Sequence, residues 1–101
     1  MIVRCWSGRL PRDKADGFRD HLVATGVTDF RAQPGCIDAA IWRRDEGDWV
    51  IFTLVSTWRD MDSIVAHAGP DPNRAILYPG DAAFDLVPDT TVTHHQLIEH
   101  T

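Results

Sequence analysis

The feature that most constrains the fold is the stretch DWVIFTLVSTW, residues 48–58, which is apolar on both faces of a strand. Phe52 and Leu54 alternate with Ile51 and Val55, and successive side chains of a strand point to opposite faces. A strand of this kind needs cover on both sides. The stretch is therefore predicted to be the central strand of a sheet.

Alternating strand patterns also occur in MIVRCWSGRL, CIDAAIWRR and TTVTHHQLIEH, and an acidic turn at 45–48 joins the second and third strands as a hairpin. Helical patterns follow the first and third strands. The first begins after Pro11, is expected to weaken at Gly26 and ends before Pro34; the second is RDMDSIVAHAG. The order β-α-β-β-α-β predicts one α+β domain over residues 1–101, with a ferredoxin-like antiparallel sheet and both helices on one face.

The first strand carries two candidate faces. Ile2, Arg4 and Trp6 share one, whereas Cys5 and Ser7 share the other. We expect the Trp6 face to lie on the side of the sheet without helices, where a second copy of the chain would cover it in a homodimer. The Cys5 and Ser7 face would then form the floor of a cavity beneath the helices.

Composition and charge exclude several classes of function. The net charge is −5, and no basic cluster is longer than Arg43-Arg44, which argues against nucleic acid and anionic membrane surfaces as partners. No apolar run approaches the roughly 20 residues of a membrane helix, and no signal peptide is expected at the N-terminus. Cys5 and Cys36 match no metal spacing and suit a reducing compartment, so we expect a cytoplasmic protein.

The stretch SIVAHAGPDPNRAILYPGD, residues 63–81, is punctuated twice, by Gly69-Pro70 and by Pro79-Gly80. The two breaks enclose a second apolar stretch, with a helical turn predicted at 73–77. They also bracket the only tyrosine, Tyr78, and follow His67 closely. This pattern predicts that residues 69–80 form a lid over a pocket.

Two histidines are candidate catalytic residues. His67 lies at the edge of the buried stripe of its helix, so it is either partly exposed or a pocket residue whose neutral imidazole acts as a base near pH 7. His21 lies on the buried edge of the first helix and either faces the same cavity or belongs to the core. His94 and His95 point to opposite faces of a strand, so no metal site is expected.

Other side chains are candidate substrate-binding residues. Ser63 and Tyr78 could donate hydrogen bonds to a substrate oxygen, although the Tyr78 hydroxyl could also lie in water. Trp58 either closes the junction between strand and helix or forms a platform for the substrate. Arg74 could pair with an anionic substrate or with a nearby aspartate. Ser7 and Cys5 would complete the pocket as its floor.

Several stretches together resemble the antibiotic biosynthesis monooxygenase superfamily of dimeric α/β barrels. They are MIVRCWSGR, the PG before the second strand, STW, IVAHAGPD…A…YPGD and VTHH. The resemblance covers nearly the whole chain and implies a homodimer in which each subunit holds its own pocket between sheet and helices. The superfamily includes cofactor-free oxygenases that convert anthrone-type phenols to quinones, haem-degrading enzymes, and polyketide cyclases and isomerases.

The functional positions of these branches carry other side chains in this sequence. Where the haem-degrading branch has Asn, Trp and His, this chain has Ser7, His67 and Leu77 or Tyr78. Where the anthrone-oxidising branch has Asn and Trp on the second helix, it has Ser63 and His67. The resemblance implies a cofactor-independent monooxygenase of a polycyclic aromatic substrate in secondary metabolism, with dioxygen as co-substrate. A polyketide cyclase or isomerase that uses no oxygen, and a non-catalytic binding protein with a closed pocket, remain alternatives.

Overall fold

The computed structural model of the protein describes residues 1–100 and has the predicted α+β architecture. Its strands are β1 (Ile2–Pro11), β2 (Cys36–Glu46), β3 (Trp49–Trp58), β4 (Val87–Pro88) and β5 (Thr93–Gln96). Its helices are α1 (Ala15–Leu22), α2 (Thr28–Arg31) and α3 (Met61–Ala68), with 3₁₀ turns at Arg12–Lys14 and Asp81–Phe84.

The sheet has the topology expected of a ferredoxin-like fold. Its order is β2-β3-β1-β4. β5 also pairs with β1, along residues 2–5, whereas β4 pairs with Gly8 and Arg9. All strand pairs are antiparallel, with β1 and β3 as central neighbours and β2 at the edge beside β3. The predicted topology is therefore confirmed. The last strand is shorter than the predicted span of 90–100.

The first helical segment loses its regular α-helical geometry around Gly26, where we expected it to weaken, but it does not end there. α1 continues through a π turn at Val23–Val27 directly into α2, and Gly26 within this turn is buried. A β-carbon at Gly26 would lie only 3.2 Å from the Leu54 side chain, so the glycine lets the helix pass close to β3. The continuation adds a turn that carries Asp29 and Phe30 toward the end of the sheet.

The core lies between one face of the sheet and the helices. In β3 the even-numbered side chains from Val50 to Trp58 are buried, which fixes the face that the helices cover. The other fully or nearly buried apolar residues of this cluster are Leu10, Ala15, Phe18, Leu22, Phe30 and Ile64. Burial of these side chains provides the main driving force for the fold.

Our expectation for the two faces of β1 is wrong. The antiparallel register pairs Trp6 with Leu54 and Arg4 with Ser56, so the even-numbered side chains of β1 share the helix-covered face. Arg4 is only 2% exposed. Cys5 and Ser7 consequently lie on the opposite face of the sheet, which no helix covers.

The lid, residues 69–80, contains no helical turn at 73–77, contrary to the prediction. It is extended and runs beside the chain just before β5. Arg74 forms an isolated antiparallel bridge with Thr91, the Ala75 amide donates to the Thr90 carbonyl at 2.9 Å, and the Val92 amide donates to the Asn73 carbonyl at 2.8 Å. These backbone bonds fix the lid over the core.

Both cysteines are free thiols, Cys5 on β1 and Cys36 at the start of β2. Because β3 separates these two strands, the cysteines are not neighbours in the sheet. The helices are short: within residues 1–100, none has the length and apolar character that crossing a bilayer requires.

Candidate active site

A small enclosed space lies between the helix-covered face of the sheet, the first helical segment and the lid. Its volume is about 20 Å³, which holds about one water molecule. Three polar residues line it, Arg4, Tyr78 and Asp81. The rest of the lining is apolar and consists of Trp6, Phe18, Leu22, Phe30, Leu54, Ile76 and Val92. The cavity is therefore present but closed.

The lid closes the cavity with Ile76 and Tyr78, both of which line it. The Tyr78 hydroxyl donates a hydrogen bond of 2.6 Å to Asp29 Oδ2 on α2. The Tyr78 backbone amide donates to Asp81 Oδ2 at 2.9 Å. The lid is thus joined to the first helical segment through a side chain and is not held by its backbone alone.

His67, Asp29 and Tyr78 form a cluster at the end of the cavity. His67 Nε2 is buried, forms no hydrogen bond and lies 3.4 Å from Asp29 Oδ2, the oxygen that accepts the Tyr78 hydroxyl bond. The imidazole stacks on Trp58, with ring centroids 5.7 Å apart, and meets the edge of Phe30 at 5.1 Å. His67 itself does not line the cavity, but Tyr78 connects it to the cavity through Asp29.

The surroundings shift the pKa values of this cluster. Burial lowers the pKa of His67, an effect that the Asp29 carboxylate opposes and the Arg4 charge reinforces. Burial, followed by the hydrogen bond to Asp29, raises the pKa of Tyr78 far above its usual value. At neutral pH the cluster therefore consists of a neutral imidazole and a protonated phenol that share one carboxylate.

His21 reaches the cavity only through a partner. Its Nε2 lies 2.6 Å from Asp81 Oδ1, and the ring packs against Phe18 and Phe84. Its side chain is 17% exposed. Asp81 lines the cavity and His21 stands behind it. The pair secures the C-terminal end of the lid to α1.

Arg4 is the one cation in the cavity wall. Its guanidinium donates hydrogen bonds to the Pro72 carbonyl and, at 3.1 Å, to the Arg74 carbonyl, and it lies 3.0 Å from His94 Nε2. His94 Nδ1 lies 3.2 Å from Asn73 Oδ1. This arrangement fits a neutral His94 that accepts from Arg4 and donates to Asn73. Burial lowers the pKa of both Arg4 and His94.

The remaining predicted site residues lie away from the cavity. Ser7 bonds Thr53 at 2.8 Å on the uncovered sheet face, which Cys5 shares. Asp60 caps the start of α3, and its Oδ1 accepts hydrogen bonds from the amide and the hydroxyl of Ser63.

Two more of these residues have structural contacts. Trp58 is fully buried and donates to Ser56 Oγ at 2.8 Å, so it belongs to the core and supports His67. The Arg74 side chain is exposed, and only its backbone carbonyl meets the site.

Sequence reasoning missed three residues of the site: Asp29, Arg4 and Trp6. Asp29 lies beyond Gly26, where we expected the helix to weaken; the spacing of Leu22, Gly26 and Phe30 at four-residue intervals was the available signal for a longer helix. Arg4 and Trp6 were assigned to the wrong face of β1. No local pattern pairs Tyr78 with Asp29, which is 49 residues away.

Acidic and metal-binding side chains do not converge elsewhere. Within residues 1–100, no group of three or more His, Cys, Asp or Glu side chains lies close enough together to hold a metal ion. The polar residues of the cavity wall, Arg4, Tyr78 and Asp81, can supply proton transfer and hydrogen bonding beside an apolar lining.

Solved structures with the same fold come from several sources. A candidate antibiotic biosynthesis monooxygenase from Deinococcus radiodurans superimposes with a TM-score of 0.67 at 17% identity, covering 100% of this chain and 96% of the other. A mutant of MhuD with two manganese protoporphyrin IX molecules bound per active site gives 0.66 at 15% identity, covering 100% and 98%. Rv0793 from Mycobacterium tuberculosis gives 0.56 at 17% identity, covering 99% and 98%.

At these identities the structural matches establish a shared fold. No curated protein matches the chain. The family model for antibiotic biosynthesis monooxygenases matches residues 1–76, which include β1 to β3, all three helices and most of the lid. The chain therefore belongs to the antibiotic biosynthesis monooxygenase family.

Proposed function

We propose that the protein is a cofactor-independent monooxygenase that acts on a polycyclic aromatic substrate of the anthrone or phenol type in secondary metabolism. The observation that carries the proposal is the cluster of His67, Asp29 and Tyr78. In it a buried imidazole without a hydrogen bond adjoins a carboxylate that is bonded to a phenol of the cavity wall. Family membership supports the reaction class.

The chemistry balances without a metal or an external reductant. Removal of one proton from the CH₂ group of an anthrone leaves an electron-rich carbanion, which adds dioxygen and gives a peroxide. After protonation the peroxide eliminates water and leaves a carbonyl. One oxygen atom enters the product and the other leaves as water, so one substrate and one dioxygen give one quinone and one water.

In this proposal the chain moves the first proton. The Tyr78 oxygen accepts the substrate proton while its own proton passes to the Asp29 carboxylate, and the neutral imidazole of His67, whose Nε2 lies 3.4 Å from Asp29 Oδ2, can take that proton in turn and become an imidazolium. The high pKa of Tyr78 keeps it from remaining ionised, which suits a relay. The apolar lining keeps water away from the carbanion.

The substrate requires the lid to move. Pockets that enclose a drug-sized ligand usually measure roughly 300–1,000 Å³, whereas this cavity measures about 20 Å³. The bonds that must yield during substrate entry are those of Tyr78 to Asp29 and of Arg4 to the lid carbonyls, and the relay requires the Tyr78–Asp29 bond to form again over the bound substrate. Opening the lid thus frees the same polar groups that would meet the substrate.

We also propose that the protein is a homodimer that associates through the uncovered face of the sheet. This face differs from the one expected on β1, because Trp6 faces the helices. It presents Cys5, Ile51 and Val55, together with the indole of Trp42, which is 61% exposed. A second copy of the chain would bury this surface, as the family resemblance implies.

The two free thiols support a location in the reducing cytoplasm. In that compartment unpaired cysteines stay reduced, and a dimer would cover the exposed apolar surface. We therefore propose a cytoplasmic enzyme.

The test is oxygen uptake with 1,8-dihydroxyanthrone in the presence of EDTA, with the quinone followed by absorbance. We expect one dioxygen consumed per quinone. His67→Gln and Asp29→Asn should lower the turnover rate by roughly 10²- to 10⁴-fold. His95→Gln, at an exposed position of β5, is the matched control and should keep the rate. Glutamine is chosen at position 67 because the side chain is 10% exposed and alanine would leave a cavity.

Three outcomes would contradict the proposal in different ways. Equal rates for His67→Gln and His95→Gln would remove the histidine from the mechanism. Substrate consumption without oxygen uptake would indicate a cyclase or isomerase. Binding without any turnover would indicate a non-catalytic binding protein, the second candidate, which the closed cavity favours.

A further inference from the structure

Arg4 is a buried cation that the mechanism above does not use. Its residue is 2% exposed, and within residues 1–100 no carboxylate oxygen lies within 4.0 Å of its guanidinium. Burying a charge without a counterion costs several kcal/mol in general. A buried charge that costs this much free energy indicates a functional role for Arg4 in the site.

The hydrogen bonds of Arg4 show what holds it in place. Two of its three partners are the carbonyls of Pro72 and Arg74, both on the lid. The third is His94 on β5. When the lid moves, the two carbonyls leave, and a fork of charged donors faces the cavity.

We propose that Arg4 binds the anionic oxygen of an aromatic substrate, and that the lid carbonyls occupy its place while the cavity is closed. The guanidinium fork matches a carboxylate or an aromatic oxyanion. Trp6 and Phe30 line the same cavity and supply flat apolar surface for the ring system. Asp81, the one carboxylate in the wall, is held by His21 and the Tyr78 amide.

The aromatic character of this ligand rests on the proposed function, and Arg4 adds that the ligand is an anion. It also replaces the predicted pairing of an anionic substrate with Arg74, whose exposed side chain lies outside the cavity. In the oxygenation reaction the same contact would stabilise the enolate oxygen that forms when the substrate loses its proton.

The test compares 1-naphthoate with the neutral 1-naphthamide by isothermal titration calorimetry. Wild-type protein should bind naphthoate roughly 10- to 100-fold more tightly than naphthamide, the usual worth of hydrogen bonds to a charged group. Arg4→Gln should abolish this preference, so that the variant binds the two probes with equal affinity. Arg74→Gln is the matched control and should retain the full preference.

Arg4→Lys is a second variant in case Arg4→Gln does not fold, because lysine keeps the positive charge and lacks the guanidinium fork. It should bind naphthoate more tightly than naphthamide, but by a smaller factor than the wild type. Equal affinity of wild-type protein for the two probes, or a preference that moves with Arg74 and not Arg4, would overturn the inference. An anion preference without oxygen uptake would leave the Arg4 site standing and overturn the proposed function. If Arg4→Gln leaves oxygen uptake unchanged and wild-type protein binds the two probes equally, the Arg4 site is overturned and the proposed function stands.

Discussion

The imidazole of His67 lies nearly parallel to the indole of Trp58, with an interplanar angle of 21° and ring centroids 5.7 Å apart. Trp58 is fully buried at the end of β3, so the stack ties α3 to the sheet. We expected His67 at the edge of the buried stripe of its helix, a position where a substitution costs little packing. Its stacking and burial instead predict that His67→Ala lowers both stability and activity.

The protonation of His67 and His94 predicts how stability depends on pH. The pKa of each is lowered below the usual 6.5 by burial first of all. Below pH 6.5 the two histidines therefore bind more protons in the unfolded chain than in the folded chain. The free energy of unfolding consequently falls as the pH drops toward the folded-state pKa values. Above pH 6.5 the two histidines are neutral in both states and contribute no slope.

Thermal melts between pH 5 and 7 check this expectation. The melting temperature should fall toward pH 5 in the wild type and fall less in the double variant His67→Gln/His94→Gln. Asp45 and Asp60, whose pKa values are lowered from 3.8, act only below about pH 4, so their effect is separate. Parallel curves for the two proteins would show that neither histidine is responsible.

The bond between Tyr78 and Asp29 predicts a loss of lid stability in Tyr78→Phe. Its removal should cost about 1 kcal/mol, because a hydrogen bond to a charged group is strengthened by burial and Asp29 is still partly exposed. For a domain of this size the melting temperature should drop by about 4–8 °C. Amide exchange at Ala75, measured by NMR, should accelerate.

Leu77→Ala is the control for this variant, since the Leu77 side chain is also on the lid but is 47% exposed. It should change the melting temperature little. If Tyr78→Phe and Leu77→Ala behave alike, the phenol does not hold the lid.

The close approach of Gly35 to α3 predicts that Gly35→Ala destabilises the fold. An added β-carbon would lie 2.2 Å from the Ser63 side chain, and the Gly35 carbonyl accepts the Arg59 amide, so the turn cannot easily shift. We expect a loss of roughly 1–3 kcal/mol in denaturant unfolding. In the double variant Gly35→Ala/Ser63→Gly the clash is relieved, so the two losses should not add.

The proposed dimer predicts a specific effect of Ile51→Arg. Ile51 lies on the uncovered face of β3, next to Arg9 in the β1 register, so a second arginine would place two adjacent positive charges on the face that a dimer must bury. Sedimentation should show a dimer for the wild type at micromolar concentration and a monomer for the variant. A monomeric wild type would contradict the proposed assembly.

The fold could be predicted because β3 is apolar on both faces and because the order of strand and helix patterns fits one topology. The faces of β1 could not. Each face of that strand mixes polar and apolar side chains, and an arginine usually lies outside. Only the register with β3 shows that Arg4 and Trp6 point toward the helices.

The site was harder to predict than the fold because its contacts join distant parts of the chain. His67 and Tyr78 were singled out from the local punctuation around them. Asp29, which links them, lies in a helical turn added by the π turn at Val23–Val27. Neither hydrophobic periodicity nor turn residues report a pairing across 49 positions.

The closed lid has a consequence for every affinity measured on this protein. If only a fraction of molecules is open at a given moment, the apparent dissociation constant equals the intrinsic one divided by that fraction. A substitution that loosens the lid without touching the cavity, such as Asn73→Ala, which removes the side-chain oxygen 3.2 Å from His94 Nδ1, would then tighten binding while lowering stability. Ligand affinity and resistance to unfolding would be inversely linked, with the lid equilibrium as their common variable.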